Sequence, residues 1–324
     1  MKRPYFYLLC CLAVTLSGLG VYPVSAEAPA RPKIVFTDTR DGNAEIYVMN
    51  TDGSERVRLT DHPGDDFDPT WSPNGEHIAF VSERDHTGLY DIYLMDPDGK
   101  NIRQAFDELD FRTAPTWSPD GEKIAYHTYS SEPDWAIYAN IPGGGKAERI
   151  AESGIHLGGF PDWSPKGTEV AFVGGKRTQL RIQITNLKTG NQETFLPDIE
   201  SGNMYYPTWS PDGKKLAFSL WQHGQQPGIH VVNRNAKKSN EIIKNARGML
   251  AWSPNGRELL YKKTVDGEKQ LFKIDLDSRV ETPLTRLGPT IRHGENTGWD
   301  WFKPPISPKP QLLTTVWGEI KIQD

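Results

Sequence analysis

Between residues 33 and 302, apolar residues come in short runs separated by turn residues, and the runs recur with a fixed rhythm. One set is Ile34-Val35-Phe36, Ile78-Ala79-Phe80, Ile124-Ala125-Tyr126, Val170-Ala171-Phe172, Leu216-Ala217-Phe218 and Leu259-Leu260-Tyr261. A second set is led by Glu45-Ile46-Tyr47-Val48-Met49 and Asp91-Ile92-Tyr93-Leu94-Met95. Shorter copies follow at Ile137, Ile182, Ile229 and Phe272. A third is more polar, from Arg56-Val57-Arg58-Leu59-Thr60 to Glu281-Thr282-Pro283-Leu284-Thr285. Runs this short, rich in β-branched and aromatic residues and bounded by Gly, Pro, Asn and Asp, predict strands.

A fourth element sets the period. Trp-Ser-Pro-(Asn/Asp/Lys)-Gly occurs at Trp71, Trp117, Trp163, Trp209 and Trp252, and successive tryptophans lie 46, 46, 46 and 43 residues apart. Asp300-Trp301-Phe302 takes the same place 49 residues later, without the turn. Pro pre-sets φ at the second turn position and Gly accepts a positive φ at the end, so the motif predicts a tight reversal between strands. Each Trp suits packing between sheets, where its removal costs about 3–5 kcal/mol. Trp71, Trp117, Trp163, Trp209, Trp252 and Trp301 are therefore read as structural residues rather than ligand contacts.

A period in the low forties with several strands per repeat predicts an all-β protein, a six-bladed β-propeller with four-stranded blades over residues 33–302. The chain begins on the second strand of a blade and ends on a first strand. Ring closure by pairing of N- and C-terminal strands is the simplest way to remove the open sheet edge.

Residues 1–26 read as a signal peptide, with Lys2 and Arg3, an apolar stretch from Phe6 to Gly18, and Val24-Ser25-Ala26 before a cleavage site after Ala26. Residues 27–32 read as an Ala/Pro linker, and 303–324 as a tail with one extra strand over Leu312–Ile322. The two cysteines, Cys10 and Cys11, fall inside the signal, so the mature chain has no disulfide. The formal charge is −5, and removal of Lys2 and Arg3 leaves −7. That balance argues against nucleic acid and against membrane insertion of the mature chain; a monomer is expected.

The repeats Asp41 to Met49, Leu59-Thr60 and Asp68 to Gly75 resemble those of the TolB-type propellers of the bacterial envelope. The resemblance covers residues 33–302 and implies export to the periplasm and binding of envelope proteins or peptides without catalysis. Members of that family carry an α/β domain ahead of the propeller, where this chain shows the signal and linker. The resemblance also admits a calcium ion in the channel, with no ligands assigned; no other cofactor is expected.

The loops leading into the innermost strands are expected at the channel mouth. Five residues before each blade tryptophan stand Asp66, Arg112, Gly158, Met204, Arg247 and Asn296, with His156, Tyr205, Arg292 and His293 nearby. Asp66, Arg112, Arg247, Asn296, His156, Tyr205, Arg292 and His293 are thus the candidate partner-binding residues, a polar mouth suited to a carboxylate or an extended peptide. The alternative is a carbohydrate-active propeller, a glycan lyase or hydrolase that could use a metal, as some propeller lyases of acidic sugars do. His62, His156 and His293 lie in these loops, but no His-x-His pair is present and no metal ligand is assigned. No catalytic residue is assigned either: there is no Gly-x-Ser-x-Gly elbow, and Gly143-Gly144-Gly145-Lys146 reads as a turn.

Overall fold

A computed structural model of the chain describes residues 27–85, 88–129, 135–153, 159–176, 179–196, 202–288 and 298–302. The signal segment, the tail from 303, and His156, Arg292, His293 and Asn296 lie outside the described residues.

Six four-stranded antiparallel sheets form a six-bladed β-propeller. Blade 1 orders Trp299–Phe302, Lys33–Asp38, Glu45–Asn50 and Val57–Arg58 from the axis outward. The next four blades begin with Asp66–Trp71, Arg112–Trp117, Asp162–Trp163 and Asn203–Trp209, and blade 6 begins with Ala251–Trp252. The ends of the propeller meet as expected, with Ile34 opposite Trp301 and Phe36 opposite Trp299.

The apolar triplets form the second strand of each blade and are buried on both faces, which is why they are continuous rather than alternating. The outer residues of a triplet face one neighbouring blade and the middle residue faces the other. Ile78 and Phe80 share a core with Trp71 and Phe302, whereas Ala79 joins the next seam, with Trp117. The same offset sets Ala125 in the seam of Trp163, Ala171 with Trp209, and Ala217 with Trp252. The small middle residue makes room for the indole of the following blade.

Each Trp-Ser-Pro-x-Gly turn is closed by the Ser carbonyl accepting from the Gly N–H, at 2.8 Å in all five copies. The Ser hydroxyl accepts from the amide five residues on, at 2.8–3.0 Å. It also donates to the Asn or Asp of the turn in four copies. Lys166 cannot accept such a bond, which leaves the blade 4 turn with its backbone and Ser bonds alone. Gly121, Gly167, Gly213 and Gly256 each back onto the proline of the preceding turn, and at the closure Gly75 backs onto the ring of Phe302 instead. Phe302 thus fills the place of the missing proline.

Candidate functional site: axial channel and upper groove

Every innermost strand starts on what we call the upper face and runs down to the turns. In blades 2, 3 and 5 its pairing slips by a bulge two to three residues before the tryptophan. The residue before each strand proline takes a left-handed conformation: Asp68 at φ 51°, Ala114 at 53°, Phe160 at 44° and Tyr206 at 55°. A non-glycine residue held there costs about 1–3 kcal/mol, and bulges of this kind re-aim side chains beside functional sites. Here they carry the residue three before the tryptophan to the channel wall.

The channel encloses about 380 Å³ between Asp68, Phe160, Tyr206 and Met249 above and Pro211 and Pro254 below. Among the described residues, three carboxylates belong to its wall. Asp162 Oδ2 accepts from the Trp209 amide at 2.7 Å, one blade on. Asp300 Oδ2 accepts from the Trp71 amide at 2.8 Å and the Thr70 hydroxyl at 2.9 Å, again one blade on. Both keep some surface open to the channel, yet the surrounding walls strip most of their hydration. Burial pushes Asp162 up to about 7, with the Asp300 carboxylate, from the blade opposite, adding to the shift and the bonds from Trp209 and Thr208 opposing it. Burial likewise raises Asp300.

Asp68 is the most enclosed. It is 2% exposed, and neither carboxylate oxygen has a hydrogen-bond partner within normal geometry. Burial pushes it up to about 7, against the nearby Gly298 amide and the charge of Lys262. Gly298 has to be glycine, because a Cβ there would stand 2.6 Å from the Asp68 Cα.

The predicted mouth residues are placed differently. Asp66 and Arg112 begin the innermost strands of blades 2 and 3, but both are engaged in buried ion pairs rather than lining the channel. Asp66 receives Arg84 at 2.9 and 3.1 Å, and burial raises its pKa. Arg112 donates to both oxygens of Asp91 at 2.9 and 3.0 Å and to the Glu108 carbonyl at 2.8 Å, stacked over Phe106 and Tyr126. Tyr205 is partly buried beside Tyr206. His62 accepts at Nδ1 from the Gly64 amide at 3.0 Å.

Arg247 alone of the described candidates lines a surface groove, about 610 Å³ between blades 5 and 6 on the upper face. Lys269, Trp221 and the buried Lys262 line it too, with the amides of Gln225, Gln226 and Asn245; among the described residues no carboxylate does. Trp221 is 47% exposed, with the Arg247 guanidinium 5.6 Å from its ring centre.

A channel calcium ion requires six to eight oxygen ligands. Among the described residues no group of three or more carboxylate, histidine or cysteine side chains comes together to hold a metal ion.

Sequence reasoning missed Asp68, Asp162, Asp300 and the groove. A signal for the carboxylates was present: aligning the repeats on Trp shows Asp where others have Thr or Ala just before it, and Asp68 where others are uncharged. No repeat-level signal marks the groove, whose residues come from loops of two blades.

Known proteins bear on this architecture. The family model of the TolB beta propeller domain matches residues 143–297. The Tol-Pal system protein TolB of Syntrophotalea carbinolica is 42% identical over 52 residues, 16% of this chain and 12% of that protein. The crystal structure of TolB from Acinetobacter baumannii superposes with a TM-score of 0.72 at 18% identity, covering 83% of this chain and 66% of that one. An oligogalacturonate lyase in complex with manganese superposes at 0.56 and 15% identity, covering 78% and 74%. At these identities the structural likenesses concern the fold alone.

Proposed function

We propose that this chain, a TolB-like β-propeller by sequence and fold, is a periplasmic binding scaffold that holds an extended, acidic segment of an envelope protein on its upper face. The observation that supports this most is the groove lined by Arg247, Lys269 and the exposed Trp221, with the buried Lys262 in its wall, on a chain whose net charge is negative. Complementary charge speeds encounter with an acidic partner, and an exposed indole supplies an anchor of the kind that dominates interface energetics. Arg247 is the part of the predicted contact set that fits this reading.

The test is titration of the purified protein with a glutamate-rich extended peptide, followed by Trp fluorescence. Saturable binding that weakens with salt and falls about tenfold or more in Arg247→Ala/Lys269→Ala supports the scaffold. Unchanged affinity in that variant overturns it.

The second reading is a carbohydrate-active propeller, favoured by the lyase neighbour and by the groove's mixture of cations, amides and an aromatic platform. Release of unsaturated uronate from oligogalacturonate by the purified protein would replace the scaffold reading.

A further inference from the structure

We propose that the axial channel is a second, separate binding site, one that takes an organic cation, an ammonium or guanidinium group on an alkyl stem. The cation sits between Asp162 and Asp300 beneath Asp68.

Asp68 carries the inference. A buried carboxylate with no hydrogen-bond partner is costly, and here it also sits on a strained left-handed residue of the channel wall. Asparagine tolerates that conformation as well as aspartate does, without the charge. The surroundings of Asp68 return that charge only in part, through the nearby Gly298 amide and Lys262. A cation brought into the channel would return it.

The rest of the wall agrees. Asp162 and Asp300 stand in opposite blades, and each accepts bonds from the following blade that also hold its carboxylate in place. A carboxylate has about four acceptor sites, so each has capacity left for a ligand. Among the described residues the channel wall carries no lysine or arginine; Lys262, itself buried, lines the upper groove, and its charge favours ionised Asp68 without hydrogen-bonding it. Phe160, Tyr206 and the blade tryptophans supply the apolar surface an alkyl stem needs, and aromatic rings favour organic cations. An organic cation, unlike calcium, does not demand a full shell of oxygens.

The experiment uses the full mature chain, with n-butylammonium and n-butylguanidinium as probes, n-butanol as the neutral control and calcium chloride as the metal control. Intrinsic Trp fluorescence and thermal midpoint are read. The organic cations are expected to saturate the fluorescence change and raise the midpoint, with n-butanol doing neither. Asp68→Asn and, separately, Asp162→Asn should weaken the cations about tenfold or more while leaving the glutamate-rich peptide's affinity unchanged. Saturation also by acetyl-Gly-Lys-Gly-amide assigns the cation to a protein side chain; saturation by the free cations alone assigns it to a small amine. A response equal for n-butanol, a response to calcium only, or unaltered cation binding in both variants overturns the proposal. The wild-type comparison of cation with alcohol decides even if a variant fails to fold. Loss of peptide binding in Arg247→Ala/Lys269→Ala bears on the groove alone.

Discussion

The carboxylate of Asp300 accepts a hydrogen bond from the backbone amide of Trp71 at 2.8 Å, across 229 residues of sequence. The bond crosses the seam between blade 1, which is built from both ends of the propeller, and blade 2. Asp162 makes the same bond to Trp209 between blades 4 and 5. In these two blades the residue just before the tryptophan thus ties the next blade's tryptophan to its neighbour. Asp300→Ala leaves the Trp71 amide without its acceptor and is expected to cost about 1–3 kcal/mol. Asp300→Asn keeps a carbonyl oxygen and should cost less. Urea denaturation of the two variants checks the order.

The closure should be sensitive to bulk at Gly75. Gly75 and Gly190 share a φ of 71°, but a Cβ at Gly75 would run into the Phe302 ring and one at Gly190 would meet nothing within 4 Å. Alanine at either position carries the left-handed cost of about 1–2 kcal/mol. Gly75→Ala should therefore lower the thermal midpoint clearly more than Gly190→Ala; equal shifts would contradict the packing described.

Alanines that face the next blade's indole define a second mechanical limit. Ala171→Leu adds volume to the seam that holds Trp209, and overpacking of this kind costs about 1–3 kcal/mol. The measurement is the denaturation midpoint, accompanied by a change in Trp emission.

Two arginines with the same repeat position should behave oppositely. Arg112→Ala strands the buried Asp91 carboxylate and is expected to cost about 3–5 kcal/mol. Arg247→Ala lies on the groove surface and should stay within about 0.5 kcal/mol while weakening the acidic peptide. Parallel unfolding and binding curves separate the roles.

The channel carboxylates give a pH dependence of definite sign. Asp68 and Asp162 are raised from 3.8 to about 7, so the folded state binds their protons more tightly than the unfolded state does. Their contribution is most favourable below about pH 4 and is lost as pH rises toward 7, after which it is level. The turn carboxylates Asp120 and Asp212, lowered by bonds from Ser118 and the Lys214 amide respectively, act oppositely as pH falls through their own range. Stability measured from pH 4.5 to 7.5 should therefore decline, and Asp162→Asn should flatten the decline. An unaltered slope in that variant would show that Asp162 is not the titrating group.

The sequence by itself determined the propeller, because the period, the apolar triplets and the Trp-Ser-Pro-x-Gly turns are local signals repeated in register. Even the closure of blade 1 follows from where the strand count starts and stops. The tertiary structure alone decided which polar residues face the axis. In blades 2 and 3 Asp66 and Arg112 turn into neighbouring side chains, and the bulge in blade 2 carries Asp68 to the wall, which Asp162 and Asp300 reach from the position just before their tryptophans. It also decided that Arg247, Lys262, Lys269 and Trp221 share one groove. Those residues belong to different blades, and their meeting depends on how two sheets pack, a distance relation that a linear pattern of side chains does not contain.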